Sequence, residues 1–109
     1  MNTVILTGNL GDDPQSAFSQ EGVQITSFPL AVKSTGKKTC WIKIVCFNKT
    51  AELAEKHLHK GARAGITGIL DQDKWTTDEG EKKSVHKIIA NAIEFIKTDG
   101  RGFEGDEEE

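Results

Sequence analysis

The sequence predicts an all-β domain with one short helix. Three observations carry that expectation. Residues 39–47 alternate between two faces, the period of a strand. Directly after them the apolar spacing changes to that of a helix, for one short stretch only. Glycines interrupt two of the remaining extended runs, as a strongly curved sheet requires.

Taken in order, residues 3–7 form a β-branched first strand. Gly8, Gly11 and Pro14 bend it, and it continues towards Phe18. Gln20, Glu21 and Gly22 make a turn. Residues 23–33 are a second strand, with Thr26, Phe28, Leu30 and Val32 on one side and Ile25, Ser27, Pro29 and Ala31 on the other. Pro29 suits an edge or a bulge there. Residues 34–38 are a short basic hairpin turn, and residues 39–47 the third strand. Asn48, Lys49 and Thr50 cap a helix over residues 51–60, whose apolar face carries Leu53, Ala54, His57 and Leu58. Gly61 stops it. Residues 62–75 are a fourth strand punctuated by Gly65 and Gly68; residues 77–80 are a hairpin turn, and residues 82–96 a fifth strand. Three strands, a helix and two strands give the element order of an OB-fold, a five-stranded Greek-key barrel. Such barrels bind oligonucleotides or oligosaccharides around strands two and three.

The third strand carries the functional signal. Cys40, Ile42, Ile44 and Cys46 share one face, expected to point into a core. Trp41, Lys43, Val45 and Phe47 share the other. On this strand alone two readings stand: burial on both sides, or one wet face. A lysine between two aromatics favours the wet face, because an unpaired buried charge is expensive. Flat rings beside a cation suit single-stranded nucleic acid, whose bases stack and whose phosphates attract lysine.

Composition agrees once the charge is divided. The 109-residue chain has a net charge of −3. Residues 98–109 hold six acidic side chains and one basic; residues 1–97 hold 13 basic and 11 acidic, so the body is mildly basic. The expected organisation is one domain over 1–97 and a short disordered acidic tail over 98–109. No apolar run is long enough for a membrane span and no signal peptide is visible, so a cytoplasmic protein is expected. The two cysteines lie six residues apart on one strand face, roughly 20 Å at strand rise, too far for a bridge; both are expected as small core residues. His57, His59, His86 and the cysteines show no metal-ligand spacing, and no catalytic or phosphate-loop motif emerges. A binding module without metal or cofactor is therefore expected, not an enzyme.

Several ordered motifs resemble one family. The opening residues 1–14, MNTVILTGNLGDDP, are similar to the start of bacterial single-stranded DNA-binding proteins. Thr39-Cys40-Trp41, Val45-Cys46-Phe47-Asn48-Lys49 and Ala51-Glu52-Leu53-Ala54 resemble their third strand and helix. Lys60-Gly61, Gly68-Ile69-Leu70 and Lys74-Trp75 resemble their fourth strand and hairpin. The resemblance covers residues 1–96. It implies an OB-fold that binds single-stranded DNA, as a homo-oligomer and most often a tetramer, in replication, recombination and repair at the nucleoid. By position it implies stacking by Trp41, Phe47 and Trp75, and backbone contacts by Lys43, Lys49, Lys60 and Lys74. The chain departs from the family pattern in three places. The loop at residues 34–38 is short and lacks a tryptophan, with Lys33, Lys37 and Lys38 as partial replacements. Ile42 stands where many members have a histidine at subunit contacts. The acidic tail lacks the Pro-Phe end with which members dock replication and repair proteins. The missing loop tryptophan and the missing Pro-Phe end favour an alternative, an accessory primosomal-type OB-fold protein acting mainly through protein contacts.

Overall fold

The computed structural model describes residues 1–96. The tail expected over 98–109 lies outside the described residues. The elements are β1 (Val4–Leu10), β2 (Gln15–Phe18), β3 (Gln24–Lys33), β4 (Thr39–Phe47), α1 (Asn48–His57), β5 (Arg63–Thr76) and β6 (Lys82–Ile96). They form one sheet in the order β1-β5-β6-β4-β3-β2. A further pairing of β1 with β3 closes a ring of five strands, and the short β2 lies on the edge of β3. The expected OB-fold barrel is therefore present. Its single parallel step joins residues 43–45 of β4 to residues 87–89 of β6.

Closure depends on two backbone contacts that a side chain would prevent. A Cβ at Gly8 would overlap the carbonyl of Ala31, and one at Gly68 would overlap the carbonyl of Ile89. Gly68 also sits at the register shift between β5 and β6, so the glycine that the sequence marks for curvature is a bulge. Pro29 is not at a bulge. It pairs with Lys43 on one side, and on the other its carbonyl accepts from Gly11 N–H at 2.9 Å, between the stretches where β3 meets β2 and β1. The missing N–H of Pro29 falls in that gap, where no ladder bond is lost. At the start of the chain, the Asn2 side chain acts as one more rung. Its Nδ2 donates to the Leu70 carbonyl and its Oδ1 accepts from the Leu70 N–H, each at 2.9 Å.

The core alternates as β3 requires: Thr26, Phe28 and Leu30 are buried, with Ile44, Cys46, Ala64 and Ile66 from the other strands. The helix closes one end. It begins at Asn48, three residues before the expected start, with Phe47 in the cap position and no side-chain capping bond. Asn48 has φ 57, a left-handed turn that asparagine tolerates, and it swings the chain directly from strand to helix. The helix also ends earlier, at His57. Leu58 leaves it in an extended conformation and enters the core, and residues 59–61 turn at Gly61, with φ 88. This shift corrects the expected apolar face. Ala51 and Ala54 are buried, while Leu53 is exposed. Gln24 donates to Glu55 of the helix at 2.8 Å and to Thr26 at 3.3 Å, tying α1 to β3.

The cysteine expectation is half corrected. Cys46 is fully buried, but Cys40 is exposed because the barrel core ends before that end of β4. Neither forms a bridge. Burial pushes the Cys46 thiol up from 9.0 to about 12. A thiol raised in this way favours the folded state only while it stays protonated. That contribution is complete below pH 9.0 and is lost between there and about pH 12. A thiol reagent at neutral pH should label one cysteine per native chain, and the second only in denaturant. Equal labelling of both in the native protein would contradict this packing.

Candidate nucleic-acid interface

The outer face of β4 is a continuous strip with β3. Lys33 lies opposite Thr39, Ala31 opposite Trp41, Pro29 opposite Lys43, Ser27 opposite Val45, and Ile25 opposite Phe47. Directly opposed residues share a face. β6 extends two of these rows, with Lys87 opposite Lys43 and Ile89 opposite Val45. The wet reading of β4 is the one observed: Trp41 is 63% exposed, Phe47 36%, and Lys43 is exposed between them. Val45 departs from it. Only 6% exposed, it is sealed between its neighbours and forms a floor between Lys43 and Phe47.

Trp41 is supported from beneath. Its six-membered ring lies against Gly11, where a Cβ would overlap Cζ3 of the indole. A shallow groove beside it is lined by Gln15, Ser27, Pro29, Trp41, Ile42 and Lys43. The ring is thus held on one side and open on the other. That is what a stacking surface needs: an aromatic placed before its ligand arrives.

The other candidates sit at different distances from this strip. Lys33 ends β3, in the row beyond Trp41. Lys49 is exposed in the first turn of α1, two residues after Phe47. Lys60 is exposed in the turn after the helix, and its N–H donates to Asp13 Oδ1 at 2.8 Å. That bond ties it to the bend containing Gly11, under Trp41. Trp75 is 49% exposed on the β5–β6 hairpin. It lies opposite Lys83, and by alternation along β5 from Asp71 it shares the outer face with Lys43. Lys74 does not: it lies opposite Ser84, on the other face of the hairpin. Both faces are exposed there, so the two neighbours serve different surfaces.

Charge on this face is not uniform. Lys87, opposite both Lys43 and Asp71, is committed to carboxylates. Its Nζ is 2.8 Å from Asp73 Oδ2 and 3.8 Å from Asp71 Oδ2, and its side chain is 19% exposed. Two acids thus lie on the outer face between Lys43 and Trp75. Sequence reasoning misses this pairing, since the partners are 14 and 16 residues apart and meet only through the register of the hairpin. It also misses Gly11 as the support for Trp41, and Arg63, a lone arginine at a strand start with no aromatic neighbour. Among the described residues, no three His, Cys, Asp or Glu side chains gather as a metal set, and no helix is long and apolar enough to cross a membrane.

Comparison with known proteins shows the family. The model of the single-strand binding protein family matches residues 1–96. A single-stranded DNA-binding protein of Xanthomonas campestris pv. campestris is 36% identical over 110 residues, 94% of this chain and 64% of that protein. One from Xylella fastidiosa is 35% identical over 112 residues, covering 94% and 68%. Single-stranded DNA-binding protein 1 of Staphylococcus aureus is 36% identical over 103 residues, covering 89% and 66%. The chain thus spans about two thirds of the length of these curated relatives.

Gly11→Ala should displace the indole of Trp41. In a Trp75→Phe background, acrylamide should quench Trp41 more strongly in the Gly11→Ala variant than in its parent. Unchanged quenching would show that Gly11 does not hold the ring.

Proposed function

Because the chain belongs to the single-strand binding protein family, we propose that its domain, residues 1–97, captures single-stranded DNA without strong sequence preference. It does so by stacking and charge, in replication, recombination and repair. The observation that carries the proposal is Trp41: a supported, 63% exposed indole with Lys43 beside it on the same strip. Trp41 and Phe47 stack bases, and Trp75 takes a base further along the strand. Lys43, Lys33 and Lys49 hold phosphates along the strip; Lys60 and Lys74 hold them where the strand leaves it. This is recognition rather than catalysis, in a cytoplasmic, nucleoid-associated protein.

Adding oligo-dT should quench tryptophan fluorescence, with affinity falling as salt rises by a log–log slope of about −0.7 per phosphate neutralised. Each ring is worth about 1–3 kcal/mol per base. Trp41→Ala with Phe47→Ala should therefore weaken binding at least about tenfold. Wild-type affinity in that double variant would sink the stacking account.

The domain acts as a homo-oligomer. β1 pairs with β5 along residues 4–9, but on its other side it meets β3 only at residues 9–10. Among the described residues the remaining edge is open, and Ile5 on it is 73% exposed. An unpaired edge with an exposed apolar residue suits a second copy of the strand. The accessory reading, with weak DNA binding and mainly protein contacts, is favoured by one observation, the acids between Lys43 and Trp75. Solution mass separates the two: a tetramer supports the DNA-wrapping reading, a dimer the accessory one, and a monomer overturns the assembly.

A further inference from the structure

The register places a second feature in line with Trp41. Ala31 lies opposite Trp41, Asn9 opposite Ala31, and Arg63 opposite Asn9. The four form one row across β4, β3, β1 and β5, on the outer face. The two middle members are small, so the row is a trough running from an indole to a guanidinium. At the seam where β1, β3 and β5 meet, the trough deepens into a cleft of about 180 Å³. Thr7, Gly8, Asn9, Lys33, Thr39 and Arg63 line it.

The cleft is organised for an anion. Arg63 Nη1 donates to Asn9 Oδ1 at 3.0 Å, while Asn9 Nδ2 donates to the Gly61 carbonyl at 3.1 Å. The second bond fixes which way the amide points, and the first then holds the guanidinium over the cleft. One of its five N–H donors is used by Asn9. Neither Arg63 nor Lys33 pairs with a carboxylate among the described residues, and no acid lines the cleft. This is the opposite of Lys87, whose charge is spent on Asp71 and Asp73. Two cations and two threonine hydroxyls around a close approach of backbone match a phosphate oxygen set.

We infer that this cleft is a backbone-phosphate site for the strand as it leaves Trp41, with Arg63 as its principal ligand and Lys33 as its second. The inference rests on the proposed capture of single-stranded DNA. The row of Lys33 and Thr39 is the next one on the same face, roughly 7 Å beyond the row of Trp41 at strand rise. A nucleotide stacked on Trp41 thus brings its neighbouring phosphate to the mouth of the cleft. On this side of Trp41 the strand crosses the barrel seam towards the start of β5, while Trp75 and the carboxylates of Asp71 and Asp73 lie on the other side.

The test is oligo-dT binding to the full chain, followed by tryptophan quenching across a salt series, for wild type, Arg63→Gln, Arg63→Lys and Lys33→Gln. Arg63→Gln should weaken binding and flatten the log–log salt slope by about 0.7, the value of one phosphate contact. Its quenching at saturation should equal that of wild type, because Trp41 still stacks. Arg63→Lys should keep the slope. Lys33→Gln, at an exposed strand end, should flatten it without disturbing the seam. A wild-type slope in both Gln variants overturns the inference. So does a saturable heat with inorganic phosphate that Arg63→Gln abolishes while its oligo-dT salt slope stays that of wild type, since that would make the cleft a site for a free anion only. Absence of any quenching in wild type would instead sink the proposed function, a separately readable result.

Discussion

The structure depends on β1 being paired on both sides at its C-terminal end. There it holds β5 on one flank and β3 on the other, and that double engagement turns a sheet into a ring. The contact is possible because residue 8 has no side chain to set against the Ala31 carbonyl. Once the ring is closed, its five strands have an inside and an outside along the barrel, and alternation assigns each residue there to one of them. The exposure of Trp41, Lys43 and Phe47 is therefore not a local property of β4. It follows from the opposite face being committed to Ile44 and Cys46 in the core.

Much of this was legible in the sequence, and the limits have physical causes. Alternation in residues 39–47 located the strip, since a strand has only two faces to offer. The extent of the core was not legible: Cys40 and Cys46 share a face, yet only Cys46 is covered. Period gives direction, but cover depends on where other strands end. The helix is displaced from its expected span, because Asn48 reads as a cap from its chemistry and serves instead as the left-handed corner. Val45 lies on the outer face that alternation assigns to it but is not wet, because partners on β3 and β6 that only register supplies cover it.

Charge shows the same division. Counting lysines cannot separate Lys87, neutralised by two acids, from Lys33, which has none beside it among the described residues. Both read as one cation on a strand. What differs is the neighbour across the ladder, and an acid there both removes a cation from use and adds a repulsive element for phosphate. The outer face thus sets cations around Trp41 against carboxylates at Asp71 and Asp73, an uneven field across one surface.

The amide of Asn2 carries a consequence beyond fastening the first residues. It works because one end donates and the other accepts, matching both backbone groups of Leu70. Hydrolytic ageing of that amide to a carboxylate would leave the accepting end in place and turn the donating end against a carbonyl oxygen. A slow chemical change at residue 2 would thereby convert a rung of the ladder between the start of β1 and β5 into a repulsion.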